Sequence, residues 1–311
     1  MPTSFEGGGG SLSLPPAPRA RHRSRRERLE LFSARVPFRL KLVVVWATIL
    51  VLLVSLFAAA DFDVAWMREH AAFIVKGITW TIVIAVLSIL LACTLALLGA
   101  LGRLSRNAIA VGVSGFYVSF FRGTPLIVQL FLIYLALPQI GIALGDPWAD
   151  ILTLDVLTAG VLALGLNYGA YMTEIFRAGI QSVGHGQSEA AEALGMTYSQ
   201  KMRRVVLPQG LRVIVPPTGN EFIAMMKDTA LVSFLGASID QMEIFRRAQL
   251  VGKADFRNLE ALLIAALVYW ALTTIFQYFQ LRLERRLSRG HVRGTAGVAV
   301  QGQSRMASMS G

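Results

Sequence analysis

Six stretches of this chain stay apolar for about twenty residues, long enough to cross a bilayer, and no other feature narrows the possible folds as much. They cover approximately residues 42–60, 77–98, 111–137, 157–178, 213–235 and 259–281. At ~1.5 Å rise per residue, each is long enough for ~30 Å of hydrocarbon. Inside hydrocarbon every backbone N–H and C=O needs a protein partner, which a helix supplies within its own segment. The expected fold is therefore an all-α integral membrane protein of about six transmembrane helices. With 54% apolar and only 16% charged residues, the chain carries more apolar surface than a soluble fold needs to cover. The third run is interrupted around Arg122 to Pro125 and is expected to stop at Pro138. The fifth is the least apolar because it holds Glu221, Lys227 and Asp228.

The formal net charge of +11 resides in the tails. Residues 1–41 hold nine Lys and Arg against three acids, residues 282–311 hold six against one, and the rest is balanced. A basic stretch placed directly before an apolar run is a cytoplasmic retention and anionic-lipid signal, not a nucleic-acid site. Residues 1–39 have no apolar periodicity and are expected to be a disordered cytoplasmic tail. Residues 40–61 are expected to be an N-terminal transmembrane helix. Ala58 to Ala60 imitates a cleavage site, but the leader is too long for an ordinary secretory signal. Residues 77–285 then form the transmembrane domain, with a polar loop at 181–212, and residues 286–311 a disordered C-terminal tail. Basic residues at Arg103, Arg106, Lys201 to Arg212 and both tails fall on one side of a six-span arrangement, which makes that side cytoplasmic. One loop, 236–258, disagrees, carrying Arg246, Arg247, Lys253 and Arg257 where the outside is expected. Cys93, the single cysteine, has neither a disulfide partner nor a second thiolate for a metal.

Between the fourth and fifth runs lies QSVGHGQSEAAEALGMTYSQKMRRVVLPQGLR, too polar for lipid. Its signals predict two short helices joined at a turn. The first covers 188–194, with Glu189 and Glu192 toward its N-terminal end, and Gly195 suits the left-handed position just past its C-terminus. Thr197 and Gln200 have capping-box spacing for the second, which Pro208 is expected to end or kink.

The string Glu189-Ala190-Ala191, three residues, Gly195, nine residues, Val205, one residue, then Leu207 and Pro208 resembles the EAA signature of ABC-importer permeases, with valine where that pattern has isoleucine. FFRGTPLIVQLFLIYLALP, YGAYMTEIFRAGI and NEFIAMMKDTALVSFLG are similar to the branch importing polar amino acids and opines, the histidine, glutamine, arginine and glutamate permeases. The similarity covers roughly 77–285, so the first run and the basic leader look like an addition to a five-helix core. The resemblance implies a multi-pass protein of a bacterial inner membrane with both termini cytoplasmic. It also implies alternating access, a second permease subunit in a homo- or heterodimer, two ATP-binding subunits, and a periplasmic or lipid-anchored amino-acid-binding protein. Glu189, Ala190, Ala191, Gly195, Leu207 and Pro208 would couple the chain to its ATPase. ATP and magnesium would be bound by that partner and no cofactor by this chain.

A charge at mid-membrane costs ~2.5–3.5 kcal/mol on insertion scales, so each one calls for a partner or a purpose. Glu174 and Arg177 can pair at i, i+3. Glu221, Lys227 and Asp228 either line a pathway or bridge to a neighbouring helix. Arg122, in Arg-Gly-Thr-Pro with Thr124, sits at a proline break that is allowed at depth only if buried or facing water. It contacts either a substrate carboxylate or a headgroup. Gln129 either lines the path or joins two helices, and Asn167 lies on a small-xxx-small face suited to helix packing. No Gly-x-x-x-x-Gly-Lys-Ser/Thr loop, His-Glu-x-x-His pair or Gly-x-Ser-x-Gly elbow occurs, so neither nucleotide binding by that loop nor catalysis is expected of this chain. An autonomous ion-coupled transporter or channel, with Glu174, Glu221 or Asp228 as its ion site, would leave the EAA-spaced helix pair unexplained.

Overall fold

The structure, a computed structural model, describes residues 37–59, 62–236 and 238–287, and is helical with no strand among them. The expected tails lie almost wholly outside the described residues. Residues 1–62 and 63–311 form separate units. In the first, α1 (Phe38–Ala59) holds no charge after Lys41. Thr48 and Ser55 turn their hydroxyls onto the carbonyls of Val44 and Val51, at 2.9 and 2.7 Å, which satisfies them within the helix.

The second unit contains α2 (Val64–Val75), α3 (Ile78–Arg103), α4 (Ala108–Gly123), α5 (Leu126–Phe131), α6 (Leu137–Leu144), α7 (Trp148–Leu152) and α8 (Val156–Gln181). It continues with α9 (His185–Ala193), α10 (Tyr198–Lys201), α11 (Leu207–Asp228), a 3-10 segment (Thr229–Leu235), α12 (Ile244–Ala254) and α13 (Asn258–Leu287). Val64–Arg103, Leu126–Leu144, Val156–Gln181 and Asn258–Leu287 are each long and apolar enough to cross a membrane.

At the centre stands α8, with fourteen of its 26 residues buried. A Cβ on Gly165 would strike Leu91, one on Gly169 would strike Leu95, and one on Gly99 would strike Thr173. The register advances by four on both helices, so α3 and α8 run parallel with their backbones in close approach. In lipid no hydrophobic force draws helices together, and small residues permit the close contact that replaces it. Asp155 starts α8 by accepting from Leu157 N and Thr158 N. Hydrogen bonding, first from Thr158, holds its carboxyl below the usual carboxylate range despite some desolvation.

One proline, Pro138, behaves differently from the sequence expectation, and of the two alternatives for Pro208 the helix end is excluded. Pro138 does not stop the third run, which continues to Leu144, and Pro208 does not end the helix begun at Tyr198. Each lies just after a five-residue π-turn, Leu132–Ala136 or Met202–Val206. A widened turn shifts the hydrogen-bond ladder by one residue, so the missing proline N–H is passed over and the chain bends without breaking. The break at Arg122–Pro125 is real: α4 ends at Gly123 and α5 begins at Leu126, making two helices of the expected single third span.

The outer helices α2 and α12 were not legible as elements. Asp63 pairs with Arg257 (3.4 Å), Trp66 Nε1 donates to Asp255 (2.7 Å), and Arg247 lies over the Phe73 ring (4.8 Å). The basic residues of 236–258 thus include two with partners near the start of the unit. The loop thus lies at the opposite end of α3 from Arg103.

Candidate functional site

The polar segment after α8 folds as the expected pair of short helices. Leu194 closes α9, Gly195 takes a left-handed φ of 73°, Gly195 N donates to Glu192 O (2.9 Å) and Met196 N to Ala191 O (3.1 Å). This double pattern terminates a helix sharply and redirects the chain. Thr197 and Gln200 complete the capping box in both directions, at 2.9 and 3.3 Å. Across the turn Lys201 Nζ meets Glu192 Oε1 at 2.5 Å and lies 5.7 Å from the Tyr198 ring centroid. Glu189, Ala190, Gly195 and Pro208 are exposed, Leu207 is half-buried, and Leu194, at 78% exposure, projects an apolar side chain from the turn. Ala191 faces inward. Between the pair and the spans lies a cavity of about 310 Å³, lined by Leu104, Ile180, Tyr198, Lys201 and Met202 among others. The pair therefore presents its outer face as a preformed corner.

Deeper in the unit, the helix break is stabilised by two side-chain amides. Gln129 Nε2 donates to Phe121 O (2.9 Å), Thr124 O (3.0 Å) and Thr124 Oγ1 (2.7 Å). Asn167 Nδ2 donates to Phe121 O (3.1 Å) and Gln129 Oε1 (3.0 Å). The carbonyl of Phe121 is the one that would pair with the N–H absent from Pro125. Gln129, 2% exposed, thus joins the two helices at the break, and Asn167 does the same. Thr124 shares in this knot, its own hydroxyl donating to Phe120 O (2.8 Å).

Arg122, in the last turn of α4, is exposed, with its guanidinium 5.2 Å from the centre of the Tyr171 ring. One turn away on α8, the Tyr168 hydroxyl donates to Asp228 Oδ2 at 2.8 Å. Glu221 lies two turns before Asp228 on the same face of α11, half-buried, without a hydrogen bond or ion pair among the described residues. Lys227 is exposed. Arg122 and Asp228 thus each meet a tyrosine of α8, Tyr171 and Tyr168, a pair at i, i+3 whose spacing was the available sequence signal. Glu174 is apart from this group. It meets Arg177 at 2.7 Å and Arg103 at 3.7 Å, while Arg177 also reaches Gln181 at 2.6 Å, an ion network at the C-terminal ends of α3 and α8.

Residues 89–289 match the family described as the binding-protein-dependent transport system inner membrane component. The chain belongs to that family of permease components. This permease is 38% identical over 232 residues to a probable amino-acid ABC transporter permease protein, PatM of Vibrio harveyi, across 75% of this chain and 99% of the relative. It is 42% identical to the L-cystine transport system permease protein TcyB of Bacillus subtilis, across 68% and 86% of the two chains. A crystal structure of an amino acid ABC transporter with histidines superposes with a TM-score of 0.64 at 36% identity, over 73% of the permease and 99% of that chain. The MetNI methionine ABC transporter shares the fold, with a TM-score of 0.58 at 19% identity over 73% of the permease and all of that chain.

Proposed function

We propose that this permease is the membrane subunit of an ATP-driven importer of polar amino acids, and that α9 and α10 are its contact with a separate ATP-binding subunit. The observation that carries the contact is the corner at Gly195, held by the reciprocal cap and the Glu192–Lys201 bridge, with Glu189, Ala190 and Leu194 turned outward. A short helix with small side chains and a closed turn seats in a cleft and moves as one body. Because α10 runs through the π-turn into α11, displacement of the corner reaches Glu221 and Asp228 along one continuous helix.

Two permease copies, or this chain and a relative, would enclose the path, with two ATP-binding subunits inside and an amino-acid-binding protein outside. ATP and magnesium belong to the ATP-binding subunits. Arg122 is suited to a substrate carboxylate, and Glu221 with Asp228 to an ammonium or other cationic group, since charges at this depth need partners. Both termini of the permease lie in the cytoplasm, on the side of Arg103, Arg106, Lys201, Arg203 and Arg204.

The test is co-purification of the tagged chain from native membranes, with ATPase activity and uptake of each of the twenty labelled amino acids. Recovery of an ATP-binding subunit that Glu189→Lys releases or uncouples, at normal membrane abundance, is the expected result. A chain that purifies alone and accumulates amino acids on an ion gradient would replace the proposal.

A further inference from the structure

Glu243 carries a carboxylate that neither the coupling surface nor the pathway group uses. It is 2% exposed and makes no ion pair among the described residues. Burial pushes its carboxyl upward, opposed by the donors that surround it. Four donors converge on it: the hydroxyls of Ser233 and Tyr269, and the backbone N–H groups of Phe245 (2.8 Å) and Arg246 (2.6 Å). The next residue, Ile244, directs its N–H at Thr81 Oγ1 (3.4 Å). Gly77, where α2 meets α3, lies so close to the backbone of Glu243 and Ile244 that a Cβ has no room.

These contacts tie four elements at one point. Ser233 belongs to the 3-10 segment that extends α11, and stands five residues beyond Asp228. Glu243 caps α12, Tyr269 lies on α13 and Thr81 on α3. A buried carboxyl holding four donors is costly to pull away from any one of them, because an acceptor 2% exposed has little solvent to replace a lost donor. We infer that Glu243 is a positioning residue for transport, fixing the outer extension of α11 to α12 and α13 so that the outer ends move as one piece. The inference rests on membership of the importer permease family and not on the roles of Arg122, Glu221 or Asp228.

The test uses the full chain co-purified with its ATP-binding subunit in lipid nanodiscs. Cys93 is replaced by Ser, and spin labels are placed at Phe234→Cys and Ala254→Cys, diluted so that mostly one permease copy carries them. The expected result is one narrow distance distribution, unchanged between the nucleotide-free state and ATP with vanadate. Glu243→Gln should broaden it. In cells, uptake of whichever labelled amino acid the unsubstituted chain accumulates should fall about tenfold at equal membrane abundance, the change an equilibrium undergoes when a charge-assisted hydrogen bond is lost. The half-saturating concentration should stay the same. A distance that shifts with nucleotide in the unsubstituted protein overturns the inference. So does a Glu243→Gln protein with a narrow distribution and full uptake. Where Glu243→Gln fails to insert, Ser233→Ala and Tyr269→Phe, which each remove one donor, decide by the same two readouts.

Discussion

Removing both amides at the helix break should destabilise the permease by slightly less than the two separate losses add up to. Phe121 O has two donors, Gln129 Nε2 and Asn167 Nδ2, whereas Thr124 O receives only Gln129. Asn167→Leu leaves Phe121 O with its other donor but strips the buried Gln129 Oε1 of its own, and should cost about 1–3 kcal/mol, the penalty of an unpaired buried carbonyl. Gln129→Leu orphans Thr124 O and should cost about 1–3 kcal/mol, the penalty of an unpaired buried carbonyl. Only the double variant orphans Phe121 O, which adds a further ~1–3 kcal/mol seen in neither single. Against this, the ~1–3 kcal/mol for the unpaired Gln129 Oε1 appears only in the Asn167 single, which cancels that excess, and the bond between the two amides (3.0 Å) is lost in either single and so counted twice. The net coupling should be about 0.6 kcal/mol short of additivity. Reversible unfolding by SDS titration in mixed micelles measures all three variants on one scale. A double loss larger than the sum of the singles would refute the idea that the two amides act as one linked pair on the freed carbonyl.

Three further outcomes are expected. Gly195→Val should weaken binding of the ATP-binding subunit, because a β-branched residue at φ 73° costs at least ~1–2 kcal/mol, while Gly195→Asn should retain most of it; titration of the detergent-solubilised subunits compares them. Lys201, by hydrogen bond and then by charge, holds the Glu192 carboxyl below its ordinary range. A depressed carboxyl contributes above its unfolded value and loses that contribution as pH falls through its folded value, so the corner should stay closed at neutral pH and loosen only in acid. Hydrogen exchange over residues 190–201 should show that acid-dependent step, and Glu192→Gln should abolish it. Gly219 lies against the Gln280 amide, which donates to Pro216 O at 2.6 Å. Gly219→Ala should cost about 1–3 kcal/mol by overpacking, and adding Gln280→Ala should recover part of it, whereas strictly additive losses in the same SDS titration would count against this contact.

The features legible in advance were those whose physics acts over a few residues. The capping box of Thr197 and Gln200, the left-handed Gly195, the Glu174–Arg177 pair and the break at Arg122–Pro125 each depend on spacings of eight residues or fewer. The runs at 157–178 and 259–281 were close to the observed Val156–Gln181 and Asn258–Leu287, because hydrocarbon demands unbroken apolar helix. The two π-turns were not legible, since a proline signals a missing N–H and not which neighbouring carbonyl will find another amide. The amphipathic outer helices were hidden by their charges, which read as loop until Asp63, Phe73, Asp255 and Arg257 are brought together.

Length of apolar run and local capping by themselves determined a helical membrane protein with an exposed helix–turn corner, since each is a property of contiguous backbone. Tertiary structure alone decided what the isolated polar groups do. Gln129 and Asn167 are 38 residues apart, Tyr168 and Asp228 are 60, and Glu243 and Tyr269 are 26. Sequence distance carries no information about which donor will meet which acceptor inside a bundle. Close packing at Gly165, Gly169 and Gly77 brings the helices near enough for those hydrogen bonds to form, and in hydrocarbon an unmet bond is costly enough to select one arrangement.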